Sequence, residues 1–195
     1  MADDTGVTRT AFISGPLDAT DEYFTLYYKD AIDGAIQAGH RFVVGPVAGI
    51  DTLALAYLLA QKIEPGRVTV YMAHFEHAMP DLRRHFEDMG IGTKRVGDMG
   101  ATTRDRDAKM TEDSDYDILR YRTEQEAKTQ YGSGWWPRVS NTEMNERRRR
   151  GITSQSYRLA DAGQDGPEQD LIKKESDRGK ERFKHTMKSL FQKKP

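Results

Sequence analysis

Short apolar runs separated by stretches of helical periodicity constrain this chain more than any other feature. Ala11-Phe12-Ile13 stops at Ser14-Gly15-Pro16, Arg41-Phe42-Val43-Val44 stops at Gly45-Pro46, and Val68 to Met72 follows a Pro65-Gly66 turn. Between the first two runs, Phe24, Tyr27, Tyr28, Ala31, Ile32, Ala35 and Ile36 recur at three and four residues, the spacing of an amphipathic helix. Thr20 or Asp21 is placed to cap it, Glu22 suits its dipole, and Gly39 is placed to end it in a left-handed conformation. Leu53 to Ile63 reads as a second helix. The later pattern predicts helix from Pro80 through Met89, a weaker strand over Ile91 to Val96 and helix over Thr102 to Thr111. Strand over Asp117 to Tyr121 and a short polar helix over Asn141 to Arg150 complete it. Strand and helix in alternation is the α/β order. It implies a three-layer sandwich around a mostly parallel sheet with right-handed crossovers.

Open parallel sheets take ligands beyond the carboxyl ends of their strands, where strand order reverses. Both Gly-Pro turns fall at such ends and so belong on one edge. The second, GPVAGID from Gly45 to Asp51, is either a connector that needs permissive backbone or a cradle for an anion. Gly45 and Gly49 let amide groups point inward, and the following helix offers its N-terminus. Asp51 either caps that helix or meets ribose hydroxyls.

Composition narrows the partners. The 195 residues carry a formal net charge of -1, which favours neither nucleic acid nor a membrane surface. Nucleic acid is therefore not the expected partner, and no apolar run is long enough to span a bilayer. The absence of cysteine excludes disulfides and thiolate chemistry. The start, MADDTGVTRT, carries no apolar run of the secretory kind, so the cytoplasm is the expected location. Residues 1–152 read as one domain and 153–195 as a linker plus a charged, basic helical tail. Leu171, Phe183, Met187, Leu190 and Phe191 form a thin apolar stripe there, suited to docking on the body or on a second subunit in a homo-oligomer.

Three further groups bear chemistry. Ser140, Asn141 and Thr142 open the last predicted helix and supply hydroxyls, an amide and free N–H groups for an oxyanion or phosphate; a plain capping box from Ser140 to Glu143 is the other reading. Arg147 to Arg150 follow, as a solvated face or as countercharge. Arg104 stands at another helix start, as a phosphate clamp or as half of a surface ion pair. Trp135 in YGSGWWPR either plugs the edge of the core or stacks on a planar base. His74 and His77 flank Glu76, but no HExxH pair occurs, and neither metal nor cofactor is expected.

Together AFISGPL, VVGPVAGIDTLALAYLL, GATTRDRDAKM and SNTEMNERRRRG resemble, in order, segments of the SLOG superfamily, Rossmann-like nucleotide-binding domains that include the Lonely guy phosphoribohydrolases, the DNA-processing protein A family and the YpsA-related proteins. The likeness spans about residues 10 to 151. It implies a nucleotide ligand held by Ser14, Gly15, Gly45, Gly49, Arg104, Ser140, Asn141 and Thr142. The Lonely guy enzymes carry Pro-Gly-Gly-x-Gly-Thr-x-x-Glu with a catalytic glutamate; here that position falls on Asn145. Hydrolysis of the N-glycosidic bond of a nucleoside monophosphate or a related nucleotide is the first expectation, with Asp51, Glu143 and Asp18 as available carboxylates in that order. A non-catalytic nucleotide sensor and a structural protein on the same fold are the alternatives.

Overall fold

The computed structural model describes residues 8–152. They lie within the first of two units, Met1–Gln155 and Ser156–Pro195, into which the chain divides. The expected linker, basic helix and apolar stripe lie outside the described residues.

Five strands, β1 (Thr10–Ser14), β2 (Arg41–Val44), β3 (Val68–Ala73), β4 (Gly92–Val96) and β5 (Tyr116–Leu119), form one sheet in the order β4-β3-β2-β1-β5. Every pairing is parallel, with Phe12 beside Val43, Val44 beside Val70, Ala73 beside Val96 and Ile13 beside Ile118. From β1 to β4 each step goes the same way. The chain then crosses back over the sheet and lays β5 on the free side of β1. Strand order therefore reverses between β1 and β5.

Right-handed crossovers put the helices of the first three steps on one face and the returning helix on the other. The first set is α1 (Asp21–Tyr27), α2 (Lys29–Gln37), α3 (Ile50–Ala60) and α5 (Pro80–Glu87), with the one-turn α4 (His74–His77) just after β3. The returning helix is α6 (Thr103–Glu112); α7 (Glu124–Tyr131) and α8 (Asn141–Arg149) follow β5, and α8 packs on α6 and β5. Phe12, Val43, Tyr71, Val96 and Met110 make the core under α6. Alternation along the strands turns Ile13, Val44, Val70 and Met72 to the opposite face, where α2, α3 and α5 bury Ile32, Leu58 and Leu82. No helix among the described residues is long and apolar enough to cross a membrane.

Two differences from the sequence pattern have physical causes. The first helix is kinked at Tyr28, whose φ is −122°. Hydrogen bonds continue on both sides, Tyr28 N–H to Phe24 at 2.9 Å and Ile32 N–H to Tyr28 at 3.0 Å, so the backbone bends without unravelling. Helix α7 buries no residue and has no apolar face for periodicity to find; a reciprocal Thr123–Glu126 cap starts it.

Candidate site at the carboxyl edge of the sheet

The turns after β1 and β2 pack backbone against backbone. Ile50 N–H donates to the Pro16 carbonyl at 3.2 Å. Gly49 has a φ of +81°, and a Cβ there would collide with the Pro16 carbonyl oxygen and with Leu17. At Gly45 a Cβ would sit 2.5 Å from Asp51 Oδ2 and 3.2 Å from Arg106 Cζ. The glycines of this turn thus serve close packing. The Gly45 N–H donates to Asp51 Oδ2 at 3.0 Å, so Asp51 folds back over its own turn instead of capping α3.

Helix α8 reaches the same place. Asn145 Nδ2 donates to Ser14 Oγ at 3.1 Å, and Asn145 and Thr142 are buried. Ser140 and Asn141 lie about one helical turn from Asn145 along α8. Ser14, Gly15, Gly45, Gly49, Asp51 and Thr142 therefore cluster at one rim. Ser140 acts as the N-cap of α8, its Oγ accepting from Glu143 N–H at 3.1 Å. The amides of the first turn have no acceptor within the helix. Glu143 turns its carboxylate to Arg147 at 2.6 Å instead of completing a capping box.

Behind this rim lies a buried charged cluster. Arg106 Nη1 donates to Glu76 Oε1 at 2.6 Å; its Nε and Nη2 donate to Asp107 Oδ1 at 3.1 and 2.9 Å. Glu76 also accepts from Ala73 N–H at 2.8 Å. Relative exposures are 0% for Glu76, 4% for Arg106, 6% for Asp107 and 7% for Asp51, so two carboxylates pair with one guanidinium, and a third, Asp51, lies in its field, all but cut off from solvent. Burial pushes the Asp51 carboxyl up to about 7; Arg106 pulls against that, and Asp107 adds to it. Burial raises Glu76 too, with Arg106 opposing. Burial works against the Arg106 charge, but Asp107, Glu76 and Asp51 outweigh it and hold the proton on the guanidinium.

A second charged region lies where strand order reverses. The Tyr28 hydroxyl sits 2.9 Å from the Ser14 carbonyl and 3.0 Å from that of Arg120, donating its one proton to either, and accepts from Arg120 N–H at 2.9 Å. It closes the gap between the ends of β1 and β5, and burial raises its phenol well above the ordinary range. Outside it, Arg122 pairs with Asp18 at 2.7 Å, and Arg120 pairs with Glu126. The Arg120 guanidinium stacks 3.8 Å from the Tyr27 ring centroid, and Arg122 lies 5.2 Å from that of Tyr23. An open groove of about 310 Å³ runs between α1 and α7 beside these pairs.

Other sequence-predicted residues fall elsewhere. Arg104 lies on the exposed face of α6, away from the cluster that Arg106 enters. Trp135 is half-buried with Lys128 Nζ 4.6 Å over its ring. The arginine run is a structural clamp: Arg148 donates to Asn145 at 2.9 Å, and Arg149 grips Asp117 at 2.8 and 3.1 Å and Ser114 at 2.6 Å. Between His74 and His77, Glu76 points inward to Arg106. Among the described residues no group of His, Asp and Glu is arranged to hold a metal ion.

Glu76, Arg106 and Asp107 are the residues that motif reading missed. A signal for two of them existed. Thr103, Arg106, Asp107, Met110 and Thr111 fall at i, i+3, i+4, i+7 and i+8, so helical phase puts Arg106 and Asp107 on the stripe of the buried Met110. No protein-family model, no curated protein and no solved structure matches this chain.

Proposed function

We propose that the protein binds a nucleotide at the carboxyl edge of the sheet and hydrolyses its N-glycosidic bond. The observation that carries this reading is Asp51, a buried carboxyl raised to about 7 at the rim where the β1 turn, the β2 turn and α8 meet. A carboxylate near 7 is matched to general-base work at neutral pH. The likeness of four segments to the SLOG superfamily supports the ligand class. In the reaction a water oxygen bonds the anomeric carbon as the carbon–nitrogen bond breaks. The bond's electron pair leaves with the base nitrogen, which takes a proton from solvent. The water's proton passes to Asp51. Asp18 adjoins Leu17, which packs on Gly49 two residues before Asp51, so its carboxylate serves to stabilise the oxocarbenium-like state. The first-turn amides of α8 and the Ser14 side receive the phosphate.

Incubation with a panel of nucleoside monophosphates, followed by chromatography, tests this. Free base and ribose 5-phosphate are expected, at a rate that rises with pH through about 7 as Asp51 ionises. Asp51→Asn should abolish release. No base from any nucleotide at high enzyme concentration rejects hydrolysis. A second reading, a nucleotide sensor, draws on the ion pairs that occupy Glu143 and Asp18. It expects a ligand-raised melting temperature without turnover.

A further inference from the structure

We propose that the groove between α1 and α7 receives the nucleobase, an inference that rests on the nucleotide reading above. Its walls suit a flat, uncharged, hydrogen-bonding ligand. Tyr23 and Tyr27 stand with ring centroids 4.7 Å apart and planes at 58°, so they form an angled wall. Tyr27 is backed by the Arg120 guanidinium yet remains 40% exposed, which leaves ring surface open to the groove. Aromatic rings and guanidinium planes are the surfaces on which bases stack.

Charge decides between a base and an anion. Arg122 and Glu126 line the groove, and each is already paired, Arg122 with Asp18 and Glu126 with Arg120. Two guanidinium groups meet two carboxylates, and the charges cancel. A phosphate or an acidic peptide finds no surplus positive charge here. Gln125 and Gln130 on the α7 wall each carry an amide that both donates and accepts, as the heteroatom edge of a base requires.

Position ties the groove to the phosphate end. Asp18 accepts from Arg122, from Tyr131 at 3.3 Å and from Gln130 at 3.4 Å, so the β1 turn borders the groove. Asp18 lies four positions after Ser14, a reach of at most about 14 Å even if fully extended. One nucleotide can lie along that turn, with its base over Tyr27 and its sugar beside Asp18.

The test is calorimetric titration of the full chain with the four ribonucleoside monophosphates, ribose 5-phosphate and inorganic phosphate. Tyr27→Ala should weaken the best nucleotide by about 5- to 150-fold, the range for one stacked base, and leave ribose 5-phosphate unchanged. Tyr27→Phe should restore binding. Gln130→Ala, on the exposed rim, should weaken the nucleotide several-fold and guards against a folding defect in Tyr27→Ala. Nucleotide affinity unmoved by both Tyr27→Ala and Gln130→Ala overturns the base assignment while the nucleotide reading stands. Parallel weakening of ribose 5-phosphate overturns it too. If the unaltered chain binds none of the four nucleotides, the nucleotide reading itself falls.

Discussion

The two charged regions at the carboxyl edge differ in balance and in burial. Around Arg106, three carboxylates face one guanidinium, and the most accessible of the four groups is 7% exposed. Around Arg120 and Arg122, two carboxylates face two guanidinium groups whose side chains are 25% and 10% exposed. An unbalanced cluster in low dielectric holds a proton, because a second bare carboxylate there costs more than keeping one neutral. A balanced, wet cluster has no such need and presents a neutral surface. The same residue types thus yield a buried, carboxylate-rich cluster at the ends of β2 and β3 and a charge-balanced groove beside β5, the two places to which the proposals above give proton transfer and base recognition.

The largest break in that contrast comes from Arg106. Arg106→Met leaves Glu76 and Asp107 buried without their partner and should cost about 3–5 kcal/mol at pH 7.5, read from urea unfolding. Part of the loss should return in acid, where the carboxylates neutralise. Stability like that of the unaltered protein at pH 7.5 would mean that the cluster is more hydrated than its burial implies.

Asp51→Asn follows in size and has the opposite sign. The folded Asp51 value, about 7, lies above the ordinary carboxylate value. Its contribution to stability is therefore fully present below about pH 4 and is lost as pH rises through about 7. Asparagine mimics the protonated form and still accepts from Gly45. The substitution should flatten the fall in melting temperature between pH 4 and 8 and stabilise at pH 8 by a few kcal/mol, at about 1.4 kcal/mol per pH unit between the two values. Parallel profiles for the two proteins would remove Asp51 as the proton holder.

Much of the architecture is legible in the chain because burial imposes period. Phe42 to Val44 and Val68 to Met72 are apolar because parallel strands are covered on both faces, and Gly39 ends α2 with a φ of +73° as its position implies. Helix α7 has no such imprint. The site is less legible for a related reason. Motif reading looks for polar residues next to glycines, so it selects Arg104, whereas the buried charges follow the phase of Met110. Asp51 stood out beside its glycines, but its raised value comes first from burial and then from Asp107 and Glu76, against the pull of Arg106, and all of these meet it only through the fold. Arg120 and Arg122 gave no motif at all; their role comes from β5 lying next to β1, a fact of topology.

Tyr28→Phe probes the seam between the two regions. It removes the hydroxyl that bridges Ser14 and Arg120 and leaves buried backbone groups short of a partner, at a cost of about 1–3 kcal/mol. Amide exchange should quicken at Arg120. Unchanged exchange there would mean that strand pairing alone holds β1 to β5.

The smallest effect sharpens the comparison most directly, because one substitution type can be placed in both regions. Glu126→Gln removes a half-exposed partner of Arg120 and should cost under about 1 kcal/mol. The groove gains one net positive charge, and inorganic phosphate should begin to compete there, as titration would detect. Glu76→Gln removes a negative neighbour that helps raise Asp51, so the midpoint of the pH–melting profile should move down. Glu126→Gln should leave that midpoint where it is. If both substitutions move it equally, the two regions share one field, and separate proton-handling and recognition roles would have to be abandoned.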